Sequence, residues 1–322
     1  ALLRGWAWPM SFAHKPVLYE ETISSLNVQP GGIYVDCTLG GGGHSAGLIA
    51  NSGPNGLVIG IDTDREAIKA ATQALRTYGN RFLAVEGNFR RLDEILTRLR
   101  IAAVDGFLFD LGVSSHQFDT PERGFSYRHD APLDMRMDRR QKTTAYHLVN
   151  GLTAGELADI IRRYGEERWA QRIADFIVEY RQKKPIETTG ELVEIIKSAI
   201  PASARRTGPH PARRTFQALR IAVNDELGAI EEAIDKAVEF LRPGGRIAVI
   251  TFHSLEDRIV KRAFQSMHRG CTCPPELPVC VCGKSPRARL VNRKPITPSN
   301  QEVLENPRAR SAKLRVMEKL RV

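Results

Sequence analysis

Four glycines in a row, Gly40–Gly43, stand between the apolar run Ile33–Cys37 and a helix-like pattern that begins at His44. A strand that enters such a turn and leaves it as a helix brings bare backbone close to whatever lies beyond the strand end. In an open α/β sheet, that is where ligands sit. Gly41, Gly43 and Ala46 also match the dinucleotide pattern G-x-G-x-x-A. Asp62 ends the second apolar run, about twenty residues on, where a carboxylate can accept hydrogen bonds from both hydroxyls of a ribose. Its competing role is a helix N-cap, which Asp64 could also fill. Gly87–Asn88–Phe89 follows the third run, and the Phe89 ring can pack on a purine. The fourth ends in Asp110, within Asp110–Leu111–Gly112–Val113–Ser114–Ser115. An acid, an aromatic and a second acid around one glycine turn point to an adenosine ligand. NAD, FAD and S-adenosylmethionine all carry that group. A pyrophosphate prefers a tight glycine turn facing a helix N-terminus. Nothing downstream resembles a hydride-transfer site, which disfavours NAD without excluding it.

These residues need a sheet to hold them. Ile33–Cys37, Leu57–Ile61, Phe82–Val85 and Phe107–Leu111 read as buried strands. Between them the pattern predicts a helix after His44, one over Arg65–Tyr78 and one over Arg90–Arg100. Such alternation implies a parallel sheet covered by helices. Ser114–Arg140 is polar and irregular, and Thr153–Ile200 is helical, broken at Pro185. The α/β pattern then returns: a long helix over Thr215–Leu241 interrupted by Gly228, a strand Arg246–Phe252, a helix Ser254–Met267 and a last strand Ala312–Met317.

The bulk properties limit the classes available. The chain has 322 residues, 42% hydrophobic and 26% charged, as expected of a globular protein of one large or two modest domains. No apolar run approaches the roughly 20 residues of a membrane span. Residues 1–13 are an extension without an assigned role, and Met10 could be an alternative start. Five cysteines and no convincing secretion signal argue for a reduced, cytoplasmic protein. The net charge is +10, and Val281–Val322 alone holds eleven Lys or Arg against three Glu. Pro201–Val223 contains Arg205, Arg206, Arg213, Arg214 and Arg220 and no acid. Such clusters fit a nucleic acid, or a solvated basic surface.

Longer strings narrow the choice. His14–Lys15–Pro16–Val17–Leu18, Gly40–His44, Asp110–Ser115, Gly124–Phe125–Ser126, Pro132–Asp138, Arg214–Arg220, Phe252–Arg258 and Asn306–Ser311 closely resemble the bacterial 16S ribosomal RNA cytosine-N4 methyltransferases, the RsmH or MraW family. The likeness runs from about His14 to the C-terminus. It implies a class I S-adenosylmethionine-dependent methyltransferase fold, a Rossmann-like sheet with an inserted all-helical domain. The division expected is a discontinuous methyltransferase domain, 14–116 and 214–322, around a helical substrate-recognition domain, 117–213. The implied reaction is methylation of N4 of a decoding-region cytosine, conventionally position 1402 of 16S ribosomal RNA, in the small ribosomal subunit. Motif by motif, the implied cofactor contacts are Gly42, Gly43, His44, Asp62, Phe89, Asp110 and Gln117. Two other readings stand beside it: a methyltransferase acting on another substrate, and a non-catalytic assembly factor that retains the cofactor fold.

A cytosine amine is a poor nucleophile, because its lone pair is delocalised into the ring. It must be aligned with the methyl group, and its hydrogens accepted. Many amino-directed DNA methyltransferases use an Asp/Asn–Pro–Pro–aromatic motif at the end of strand four; here that place reads Asp110–Leu111–Gly112–Val113. Asp110 is the catalytic candidate. Arg136, Arg139, Arg213, Arg214, Arg308 and Arg310 are candidates for RNA phosphates. Phe125 and Tyr127 could stack on a splayed base or belong to a core. His253 is expected beside the same cleft. Finally, Cys271, Cys273, Cys280 and Cys282 form two close pairs that could hold zinc tetrahedrally. One residue within each pair is tighter than usual, and reduced thiols in a proline-rich loop are the alternative.

Overall fold

A computed structural model of the chain describes residues 16–321, except 207, 272, 275, 276, 278 and 280. Its sheet consists of β1 (Ile33–Asp36), β2 (Leu57–Asp62), β3 (Phe82–Glu86), β4 (Val104–Asp110), β5 (Leu241–Thr251), β6 (Ala288–Leu290) and β7 (Lys313–Lys319). The order is β3-β2-β1-β4-β5-β7-β6. β1 to β5 pair in parallel. β7 runs antiparallel between β5 and β6. This is the Rossmann-like sheet expected for a class I methyltransferase fold.

The central strands are mostly apolar because helices cover both faces. One core layer joins Val35, Ile59, Phe107, Phe109 and Val249 to Ile234, Val238 and Phe264 from the covering helices. The other joins Tyr34, Val58, Leu108, Ala248 and Ile250 to Leu26, Leu48 and Leu314. Chain order turns back at β1, which has β2 on one side and β4 on the other. That neighbourhood is the switch point of the sheet, and the Gly40–Gly43 turn leaves from it.

The chain divides into two compact units. One holds the sheet and comprises the chain up to Gly112 and from Leu227 on; the other is Val113–Glu226. The expected boundaries were 116/117 and 213/214, so the second moves by about one helix. The cause lies at Asp225. The predicted long helix is two helices, Arg213–Asn224 and Glu226–Phe240, separated at Asp225 with a left-handed φ of 46°. Gly228 lies inside the second helix and breaks nothing. The three-residue β6 escaped the sequence reading because Ala288–Leu290 is too short to show alternation.

The helical unit is built from Ala145–Gly151, Ala154–Gly165, Ala170–Arg181, Thr189–Ala199 and Arg213–Asn224, with shorter turns. Thr144, Thr153 and Thr188 each start a helix through a reciprocal capping box. Leu157, Ile161, Ile173, Ile177, Leu192, Ile196, Phe216 and Leu219 form its core. Phe125 is buried in that core. Tyr127 stacks on His210 at 4.5 Å and meets the edge of Phe216 at 5.8 Å. Phe125 is therefore a core residue, and Tyr127 packs half-buried against that core.

Helices Ala154–Gly165 and Arg213–Asn224 approach closely at Gly165, where a Cβ would lie 2.6 Å from the Arg214 carbonyl oxygen. Backbone cannot give way there, so Gly165→Ala should destabilise the helical unit by about 1–3 kcal/mol. Gly155 in the same first helix has nothing within 4 Å of its Cβ position. Gly155→Ala should therefore be neutral or stabilising by up to about 1 kcal/mol. Denaturant unfolding of the two variants beside the parent checks the contrast; equal effects would contradict it.

Candidate functional site

The glycine turn is fixed to the strand ends by three acids. Gly40 adopts φ 48° and Gly42 φ 84°, both left-handed. A Cβ on Gly42 would lie 3.2 Å from Ala71 Cβ, whereas the Cβ position of Gly41 is open. The turn is held from β2, where Asp62 Oδ2 accepts the Gly40 N–H at 2.8 Å and Oδ1 accepts the Asp64 N–H at 2.9 Å. Asp64 itself caps the helix Arg65–Ala74 through the Glu66 N–H. The capping role thus belongs to Asp64, and each Asp62 oxygen retains accepting capacity.

Asp36, at the end of β1, is a further acid that sequence reasoning passed over. It is buried and accepts from Ser45 Oγ at 2.7 Å and from the Thr38 N–H at 3.2 Å. Burial pushes its carboxyl up to about 6 despite these bonds. Its sequence signal was an acid closing a buried apolar strand directly before the turn. Thr38 Oγ1 in turn accepts the Asp110 N–H at 2.6 Å, joining the turn to the end of β4.

Asp110 is the most perturbed of these groups. Its Oδ1 is buried and has no hydrogen-bond partner among the described residues. Burial, with the nearby charges of Asp36 and Glu256, raises its carboxyl to about 8. Its Oδ2 lies 3.5 Å from His44 Nδ1. Burial lowers the His44 imidazole to about 4. Both shifts have the same cause, so the pair is neutral near pH 7 and is not an ion pair. His44 Nε2 meets the Val17 carbonyl at 3.2 Å, and its ring stacks on Tyr19. The His44 side chain is therefore held within the fold. What it offers outward is its backbone N–H in the first turn of the helix Gly43–Asn51, beside that of Gly43.

The remaining expected residues divide. Phe89 follows β3 and packs half-buried, edge-on to Phe109 at 5.7 Å. Gln117 belongs to the helical unit, where its side chain completes a capping box with Ser114. His253 caps the helix Ser254–Arg269, and its Nε2 lies 3.1 Å from Glu256 Oε1. Glu256, fully buried, accepts the Phe252 N–H at 2.8 Å. It too was missed as an individual residue.

The arginine candidates are not equivalent. Arg136 is bound to both Asp134 oxygens, at 2.7 and 2.9 Å, and to the carbonyls of Arg139 and Gln141. Its guanidinium organises its own loop. Arg139, Arg213, Arg214, Arg308 and Arg310 are exposed. Arg214 donates to the Glu166 carbonyl and, with Arg213, belongs to the helical unit. Arg308 and Arg310 lie in the sheet-bearing unit on the turn Pro307–Ser311. Of the cysteines, Cys271, Cys273 and Cys282 come together, and Cys280 lies outside the described residues.

Known proteins resemble this chain over nearly its whole length. The family model of the MraW methylase family matches residues 11–320. A "Ribosomal RNA small subunit methyltransferase H" of Symbiobacterium thermophilum is 61% identical over 97% of this chain and 98% of its own length. One of Brevibacillus brevis is 56% identical over 97% and 99%. An rRNA methylase structure from Streptococcus thermophilus aligns at 13% identity and TM-score 0.42, over 95% of this chain and 98% of that one.

The buried acids make stability depend on pH. Asp110 binds its proton more tightly folded than unfolded, so between about pH 4 and pH 8 the native state holds more protons. Stability must fall as pH rises through that window. Asp110→Asn should therefore be more stable than the parent at pH 8, by about 1 kcal/mol or more. The gain should shrink toward pH 5. Urea unfolding at the two pH values checks this; a variant less stable at pH 8 would contradict it.

Proposed function

We propose that this chain, which belongs to the MraW methylase family, methylates N4 of a decoding-region cytosine, position 1402 of 16S ribosomal RNA, using S-adenosylmethionine. The coarser part, methylation of small-subunit ribosomal RNA, follows the names of relatives that share more than half of its residues. The finer part is supported by one observation above all: Asp110, a partly buried carboxyl with one oxygen shut from solvent and unpartnered among the described residues, stands beside a glycine turn at the sheet's switch point.

The residues present fit the cofactor. Asp62 has oxygens able to accept from ribose hydroxyls, already aimed by the Gly40 and Asp64 N–H groups. The open side of Gly41 allows close approach. The first-turn N–H groups of Gly43 and His44 suit the amino-acid carboxylate, which a helix N-terminus favours. Gly42 shapes the turn and Phe89 borders the adenine side. When bound, S-adenosylmethionine supplies an electrophilic methyl group on a cationic sulfur.

For its own part, the chain must orient the amine and receive its proton. Asp110 Oδ1 is an acceptor without a protein partner among the described residues, suited to an N4 hydrogen. A carboxyl near pKa 8 is matched to proton transfer close to neutrality. His44, neutral and fixed by the Val17 carbonyl, keeps Asp110 Oδ2 in place. Arg139, Arg213, Arg214, Arg308 and Arg310 would contact phosphates, positioning RNA without reading sequence.

Small subunits lacking the modification, incubated with protein and labelled cofactor, should gain one methyl on the N4 of that cytosine by fragment mass spectrometry. Asp62→Ala should weaken cofactor binding in calorimetry by about tenfold to a hundredfold, the loss of hydrogen bonds to a charged group. Asp110→Ala should bind cofactor and slow methylation by about 10²–10⁴-fold. Undiminished methylation would remove Asp110 from the mechanism. A methyl group on another nucleotide would overturn the substrate, and absent cofactor binding would favour a non-catalytic role.

A further inference from the structure

The helix Ser254–Arg269 ends in a loop that runs out and returns to β6. Its two ends touch: a Cβ on Gly270 would lie 2.4 Å from the Pro286 nitrogen, and the Arg287 N–H binds the Met267 carbonyl at 2.8 Å. Between them the chain has almost nothing to fold around. No described residue from 271 to 285 is buried. Leu277, Val279 and Val281 are 45%, 69% and 77% exposed. A segment without a core keeps a defined shape when something crosslinks it.

We propose that Cys271, Cys273 and Cys282 bind a structural zinc ion that closes this loop. Their Sγ atoms all lie within 4.8 Å of one another. Cys271 and Cys282, from opposite ends of the loop, have sulfurs 3.8 Å apart. A disulfide would need about 2.05 Å. Two thiolates on one tetrahedral zinc, each at about 2.3 Å, stand about 3.8 Å apart. The Val281 N–H points to Cys273 Sγ at 3.4 Å, the kind of backbone N–H contact that orients a ligating sulfur. Each thiol releases its proton to solvent as its sulfur–zinc bond forms. Soft sulfur donors select zinc over magnesium or calcium, which take oxygen. Ligands drawn from both ends of the loop also explain the narrow spacing within each cysteine pair, since closure across the loop does not depend on it. Cys280 lies outside the described residues and carries none of this argument. The proposal stands independently of the methyltransferase reading, because the loop is remote in sequence from Asp62 and Asp110.

The test is the metal content of the full chain, purified under reducing conditions without chelator. Elemental mass spectrometry should find one zinc per chain. Replacing it with cobalt should produce the intense visible bands of tetrahedral cobalt–thiolate. Cys271→Ser/Cys282→Ser should lose both signals while keeping the parent's far-ultraviolet circular dichroism, since the loop contributes nothing to either core. If that variant fails to fold, the cobalt spectrum of the parent still decides. Reduced parent protein that carries no zinc and gives no cobalt–thiolate bands would overturn the proposal. So would zinc retained by the folded variant, or a Cys271–Cys282 disulfide in place of metal.

Discussion

A carboxylate taken out of water is costly unless the fold answers its charge with hydrogen bonds. This chain buries Asp36 and Glu256 and partly buries Asp62 and Asp110, the three aspartates at strand ends and Glu256 in the first turn of the helix that follows β5. Asp62 and Asp36 are answered by the turn itself, through Gly40, Thr38 and Ser45. Asp110 Oδ1 has no partner among the described residues, and its carboxyl rises further than that of Asp36. The arrangement makes the glycine turn more than a gap for a ligand. Without its N–H groups Asp62 and Asp36 would each lose one hydrogen bond, and without the acids the turn would lose two of its anchors. Structural support and reactivity trade against one another here, as is common where a site needs a group its surroundings do not satisfy.

Much of this was readable in advance because apolar runs and strand ends are local patterns. The turn, Asp62 and Asp110 all sit where short-range periodicity ends, and the structure places them at the carboxyl ends of parallel strands. Asp64 could be separated from Asp62 only in three dimensions, since either satisfies the sequence rule for a cap. The use of the His44 ring was hidden because its partner, Val17, is distant along the chain. Arg136 illustrates the same limit from the other side. The sequence shows a basic residue in a loop, and only the structure shows that Asp134, two residues away, holds it bidentately.

The break at Asp225 shows how small a signal can set a boundary. A non-glycine residue in a left-handed conformation is sterically strained, and aspartate is among the side chains that tolerate it best. Glycine at 228 looked the better breaker, yet a helix interior accepts glycine at a cost of about 1 kcal/mol. The helix carrying Arg213 and Arg214 consequently packs in the helical unit, with Phe216 and Leu219 in its core. The helix carrying Ile230, Ile234 and Val238 covers the sheet.

The position of β7 has a consequence in the order of synthesis. β5 and β6 leave the ribosome before the strand that lies between them in the sheet. Until β7 is made, β5 presents an open, apolar edge with Ile247, Val249 and Ile250 nearby, and β6 has no neighbour to join. An open edge of that kind is a template for pairing with another chain. The nascent protein is thus exposed to misassembly late in translation, long after the strands that carry its site can pair with one another. A chaperone acting on this protein would be needed at that moment above all, and a chain cut before Lys313 would retain the site's residues while lacking the strand that seals the edge.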